Sequence, residues 1–298
     1  MFDKCFLLNK VVKILENNEF EVYTTYGCFD IAAKRENVLL IKVLVNADGL
    51  NKEQASSLQA TSHFLSAYPF VIAMKNNREF LEDKIVYSRF DLPVVTPKLF
   101  EEMMTDDIKA IQSAKGRHTE EINCFALREK RKEIGYTLEQ LGKIVGISKK
   151  ALYEIENKRV NPTEETVRKL EVQLNINLGM PFEMKPGKVV YLRPKNEFQQ
   201  KVSREFVRIG LDNSSVYSSP FEIVGKESFS VITKPLQDSE KEIQTIKRLS
   251  KMFSSIAVFI AKRSSEKSIE GVPILLESEL PGINSSHELV KIIEEKTA

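Results

Sequence analysis

Lys149, Lys150, Tyr153, Glu154 and Asn157 fall at spacings that share one side of a short helix. They offer ammonium, phenol, carboxylate and amide groups, a polar face able to meet base edges and phosphates of duplex DNA. Ala151, Leu152 and Ile155 take the opposite, inward side. The flanking residues say how such a face would be held. Thr137 with Gln140 three positions later has capping-box spacing. Leu138, Leu141 and Val145 then line one side of a first helix. Gly146 lets the chain reverse without a Cβ clash, and Ser148 is placed to cap the second helix. Two short amphipathic helices joined by a tight turn are the layout of a DNA-reading helix-turn-helix. Between Arg128 and Arg159 nine basic residues stand against five acidic ones, an excess of four. That excess suits a phosphate-facing surface, although a solvated helical face could look the same.

Positions Arg131, Gly135, Thr137, Leu141, Gly146, Ser148, Ile155, Glu156, Asn157 and Pro162 give this segment a pattern that resembles the Cro/C1 (XRE-type) helix-turn-helix family. The likeness runs from about Asn123 to Leu178. Carried over, it implies base-edge contacts from Lys149, Lys150 and Glu154, and phosphate contacts from Thr137, Asn157, Lys158 and Arg159. It also implies a structural ion pair between Arg131 and Glu156. Leu138 stands where many members carry a Gln that touches the DNA backbone, so that contact is not expected here. Lysine lacks the fork geometry of arginine, and Lys149 and Lys150 could bind phosphate without reading a base. A module of this kind that packs against protein is the alternative.

The chain has 298 residues, enough for two or three domains, with 42% hydrophobic and 29% charged residues, as in an ordinary globular protein. No apolar run approaches the ~20 residues needed to span a bilayer, so no membrane partner is expected. The first residues, MFDKCFLLNKVVKILENN, interleave charge at helical spacing and lack a small-residue cleavage site, so they read as an amphipathic helix. Cys5, Cys28 and Cys124 are scattered without a CxxC, which suits free thiols in a reducing cytoplasm. His63, His118 and His287 lack metal-ligand spacing. No Gly-rich phosphate loop follows a strand, and no cofactor is expected.

An internal repeat flanks the helix-turn-helix. Phe29-Asp30-Ile31-Ala32-Ala33-Lys34 recurs 192 positions later as Phe221-Glu222-Ile223-Val224-Gly225-Lys226, and Lys42 then falls on Lys234. Residues 57–76 match residues 245–264 with the offset shortened to 188. Three matches in one order indicate a duplication. Each copy reads as a helix (4–17, 196–209), two or three strands, a long helix (51–67, 239–254) and an apolar strand (70–74, 256–261). Asn51 is placed to cap the first long helix. The alternation predicts α/β sheets with helices on their faces.

That order of elements resembles the restriction-endonuclease-like (PD-(D/E)xK) fold. The family's chemistry requires an acid on one strand and an acid-x-Lys on the next, the two carboxylates holding Mg²⁺. Asp30 with Lys42, and Glu222 with Lys234, match this pattern. The second acid is replaced by Leu40 in one copy and Ile232 in the other. Both domains are therefore expected to be non-catalytic, with no metal site. Asp30 and Lys42 are either the relic of an active site or a polar pair on an apolar strand face.

The expected architecture is α/β multidomain: two restriction-endonuclease-like domains flanking an all-α helix-turn-helix domain. The bounds are 1–106 for the first α/β domain, 107–121 for a helical linker and 122–180 for the helix-turn-helix. A hinge at 181–195, with one strand at KVVYL, leads to the second α/β domain at 196–298. The layout also resembles a family of archaeal transcriptional regulators. It implies sequence-specific binding of double-stranded DNA by a homodimer, the affinity falling steeply with salt. The alternative is a Mg²⁺-dependent nuclease targeted by its helix-turn-helix.

Overall fold

Leu7, Val11, Ile14 and Leu15 recur at helical spacing and are all buried, so α1 (Lys4–Asn17) lies with one face on a sheet. A computed structural model describes residues 3–105, 111–114, 117–119, 121–178, 183–236 and 239–297. The chain divides into two units, Met1–Arg78 together with Met184–Ala298, and Glu79–Glu183.

In the first unit α1 leads into β1 (Glu21–Thr24), β2 (Ile31–Lys34) and β3 (Val38–Asn46), then α2 (Lys52–Phe64) and β4 (Tyr68–Lys75). The first three strands form an antiparallel meander, and β4 joins β3 in parallel through the α2 crossover. Residues 39–43 of β3 are all buried, which is why this strand reads as an apolar run and does not alternate. Asn51 caps α2, its side chain accepting from Gln54 N at 2.8 Å.

The second unit holds β5 (Ile85–Arg89), β6 (Leu92–Val95), α3 (Pro97–Thr105), β7 (Ile111–Ala114) and β8 (Arg117–Thr119), followed by four helices. These are α4 (Cys124–Ile134), α5 (Leu138–Val145), α6 (Lys149–Glu156) and α7 (Glu164–Leu174). The stretch expected as a helical linker is corrected by β7 and β8. Ile111 pairs in parallel with Ile85, and Gln112 pairs with Thr119 in an antiparallel ladder. Backbone pairing with β5 overrides the helical preference of this polar segment.

The first unit resumes with α8 (Glu197–Arg208), β9 (Asp212–Ser215), β10 (Ile223–Lys226) and β11 (Ser230–Pro235). It ends with α9 (Glu240–Phe253), β12 (Ile256–Ala261), β13 (Ser268–Ile269), β14 (Val272–Leu276) and α10 (Ser286–Thr297). The strands form one sheet in the order β13-β14-β12-β11-β10-β9. The strand expected at KVVYL does not form. Lys188 N donates to Gln59 Oε1 and Leu192 N to Ser214 Oγ, so side chains of the flanking elements take up the N–H groups a strand would have paired.

Both sequence offsets reappear in the strand registers. Ile31 pairs with Ile41 in the first copy, and Ile223 with Thr233 in the second, each shifted by 192. Leu40 pairs with Pro69 and Ile232 with Ala257, where the second member of each pair is shifted by 188. The copies also face each other through matching contacts. Lys34 Nζ donates to Ser254 Oγ at 2.9 Å, and Lys226 Nζ donates to Ser66 Oγ at 2.7 Å. Thr245 and its counterpart Ser57 also lie at this contact, Thr245 bonding the Tyr23 hydroxyl and Ser57 Oγ accepting from the backbone N of Tyr217, which is not the equivalent of Tyr23. Phe29 and Phe221, equivalent residues, meet with ring centroids 6.5 Å apart. Equivalent groups meeting in reciprocal pairs are the mark of a two-fold interface, here inside one chain.

Candidate nucleic-acid interface

The helix-turn-helix closes around one apolar core, with Leu127, Leu141, Leu152 and Leu170 each at 0% exposure. Thr137 Oγ1 accepts from Gln140 N at 3.1 Å while Gln140 Oε1 accepts from Thr137 N at 2.9 Å, completing the capping box. Ser148 Oγ accepts from Ala151 N at 3.0 Å and starts α6. Gly146 ends α5 at φ 82°, in the left-handed region that favours glycine. Gly142, which sequence reasoning passed over, matters as much. A Cβ there would lie 2.8 Å from the Ile147 carbonyl oxygen, so the turn packs directly on the α5 backbone.

Arg131 of α4 and Glu156 of α6 form a buried two-point ion pair, Nε to Oε1 at 2.6 Å and Nη2 to Oε2 at 2.9 Å. The hydrogen bonds it donates to Glu156 push the guanidinium pKa up. Arg131 Nη1 also donates to Tyr136 O, and the Tyr136 hydroxyl accepts from Gln173 of α7. One cation thus fixes the angle of α6 against the helices behind it. Leu138 is half-buried and packs on the same core.

On the outer side of α6, Lys149, Lys150, Tyr153 and Asn157 are exposed and Glu154 is half-buried; Lys158 and Arg159 follow, exposed. These residues do not stand apart. Arg159 reaches Glu154 at 3.4 Å and lies 5.7 Å over the Tyr153 ring, while Asn157 Nδ2 donates to Tyr153 O at 2.7 Å. Thr137 and Ser148 have their hydroxyl oxygens committed to the helix ends as acceptors. A groove beside α6 is lined by Lys150, Glu154, Lys158 and Arg159 and also by Asn161 and Thr163. Sequence reasoning missed the last two. The Asn161-Pro162-Thr163 run before α7, which Thr163 caps, was the available signal.

The acid–lysine pairs of the α/β copies have different fates. Asp30 is buried, and its Oδ1 accepts from Lys42 Nζ at 3.3 Å and from Lys4 Nζ at 2.9 Å. Its Oδ2 accepts from Val43 N at 2.9 Å. Burial lowers the Lys42 pKa, against the pull of Asp30. In the second copy Glu222 and Lys234 part company. Glu222 Oε2 accepts from Asn196 Nδ2 at 2.9 Å, and Lys234 Nζ donates to Glu242 at 2.9 Å. The residues present do not fit Mg²⁺, which needs near-octahedral oxygen ligation. Asp30 is a lone carboxylate occupied on both oxygens, and Leu40 and Ile232 are buried apolar side chains. Among the described residues no three His, Cys, Asp or Glu side chains gather as ligands for a metal ion.

Comparison with known proteins bears on both parts of the chain. A PD-(D/E)XK superfamily domain model matches residues 4–110, and a helix-turn-helix model matches residues 127–179. The chain is 30% identical to a protein of Methanothermobacter thermautotrophicus over 97% of this chain and 96% of that one. It is 27% identical to a protein of Archaeoglobus fulgidus over 98% of each chain. A protein of Thermococcus kodakarensis is 26% identical over 90% of this chain and 87% of its own. All three are assigned as HTH-type transcriptional regulatory proteins. No solved structure matches the chain.

Proposed function

From a chain that belongs to the archaeal family assigned as HTH-type transcriptional regulatory proteins, we infer a regulator that reads a specific duplex sequence through the outer face of α6. The helix-turn-helix at 127–179, in a chain of this family, makes the protein a DNA-binding regulator. Sequence reading is the finer step. The observation that carries it is the exposed Lys149–Lys150–Tyr153–Asn157 face on a helix held by the buried Arg131–Glu156 pair. A rigidly set helix presents the same donors to the groove each time it docks. Thr137, Ser148, Asn157, Lys158 and Arg159 then take phosphates, with Glu154 available to a cytosine amine once a phosphate draws Arg159 away. Two copies related by a two-fold axis would read half-sites about one helical turn apart, because one module offers too little specific surface. Free Cys5, Cys28 and Cys124 support a reducing cytoplasm.

The α/β domains, taken as 1–106 and 196–298, are read as non-catalytic. The superfamily match alone favours a nuclease. The Asp30 carboxylate, satisfied from within the chain, favours the reverse.

Gel shifts with genomic fragments across a salt series test the assignment. Lys149→Ala with Lys150→Ala should weaken binding and flatten its salt dependence; unchanged binding would sink the DNA-reading face. Incubating plasmid with Mg²⁺ or Mn²⁺ tests the other half. Cleavage that Lys42→Ala abolishes would make the protein an enzyme.

A further inference from the structure

Lys4 is the first residue of α1, and Asp3 before it makes no side-chain cap. A lysine there opposes the helix macrodipole, whose positive end repels it. Its placement therefore needs a compensating partner, and Asp30 supplies one at 2.9 Å. The second copy repeats the arrangement with different chemistry. Asn196, the position 192 residues after Lys4, caps α8 through Oδ1 on Gln199 N at 2.7 Å and gives its Nδ2 to Glu222. In each copy, the residue that opens the first helix donates to the acid that the superfamily's chemistry would give to a metal.

We propose that the Lys4 ammonium and the Asn196 amide stand in for the divalent cation at Asp30 and Glu222, turning two former metal centres into clasps that hold the first helix to its sheet. The charge count in the first copy agrees. One carboxylate faces two ammonium groups, Lys4 and Lys42, so the centre already carries net positive charge. A dication would enter against that charge with one carboxylate for a ligand. Lys42 serves as a strut, donating to Asp30 and to the Gly27 carbonyl in the loop before β2. That same loop crosses to the second copy, where Cys28 N donates to Ser218 O. Lys4 is thus a positioning residue for α1 and for the loop between the copies.

The inference rests on the non-catalytic reading of the α/β domains, so metal binding and stability are measured apart from cleavage. The test uses full-length protein, with Mn²⁺ titrated by electron paramagnetic resonance and unfolding followed by circular dichroism. Wild type should take up no Mn²⁺ saturably and melt at the same temperature with or without it. Lys4→Met should lower the melting temperature by about 2–4 °C, and Lys4→Arg should restore it by keeping a cation on Asp30. Lys4→Met with Leu40→Asp should gain saturable Mn²⁺ binding. One equivalent of Mn²⁺ on wild type, lost in Asp30→Asn, would overturn the proposal. So would a Lys4→Met protein that melts like wild type. If Lys4→Met fails to fold, the wild-type and Asp30→Asn titrations still decide. Plasmid cleavage that needs Lys42, without such Mn²⁺ binding, would instead strike the non-catalytic reading.

Discussion

Lys4 Nζ and Asn196 Nδ2, 192 positions apart, each lie 2.9 Å from a carboxylate oxygen of residues that are themselves 192 apart, Asp30 and Glu222. Both copies hold the contact, with an ammonium as the donor in one and an amide in the other. What was kept is the link between helix and sheet, and the chemistry around it diverged.

The Arg131–Glu156 pair should dominate the stability of the helix-turn-helix. Glu156→Ala leaves a buried guanidinium without its anion and should cost about 3–5 kcal/mol, read by denaturant unfolding. Arg131→Met combined with Glu156→Leu should recover much of that loss, since no buried charge remains. A double variant as unstable as the single one would show that the pair is not the source of the loss.

Gly142→Ala should affect DNA binding more than folding. The new methyl would meet the Ile147 carbonyl at 2.8 Å and push the turn, moving α6 relative to its supports. Overpacking of this kind costs about 1–3 kcal/mol, while the altered docking angle should weaken operator binding at least tenfold. Fluorescence anisotropy beside thermal unfolding separates the two effects.

Lys42 should leave a signature at alkaline pH. Its pKa is lowered by burial from the ordinary 10.5, so the unfolded chain binds more protons in that window than the folded one. Stability should therefore rise as pH climbs through the lowered value toward 10.5. Lys42→Met should remove that contribution to the slope, and an identical slope in both proteins would refute it.

Phe29 and Phe221 should behave as one unit. Each is almost fully buried, and alanine at either should cost about 3–5 kcal/mol. Because the rings touch across the two-fold relation, a double-mutant cycle should give a coupling of about 0.5–1.5 kcal/mol. Additive losses would mean the two copies do not meet as described.

The features legible in sequence were those whose cause lies nearby in the chain. Thr137 with Gln140, Ser148 with Ala151, and Asn51 with Gln54 are separated by three residues, and each formed the cap its spacing implied. The repeat offsets were legible because strand register carries them directly. What was hidden depended on distant partners. Nothing local ties Lys4 to Asp30, 26 residues away, or sends Lys234 to Glu242 and away from Glu222. Residues 107–121 read as helical because their polar composition permits a helix. The backbone of Ile85, far upstream, recruited Ile111 into a sheet. The apolar KVVYL run read as a strand, yet Gln59 and Ser214 took N–H groups that a neighbouring strand would have used.

The reciprocal bonds from Lys34 to Ser254 and from Lys226 to Ser66 join two halves of one polypeptide. Had the copies remained separate chains, their union would weaken on dilution as any bimolecular association does. Tethered, each half meets the other at an effective concentration set by the chain between them, independent of how much protein is present. The α/β body therefore stays assembled at any abundance, because diluting the protein does not dilute one half against the other.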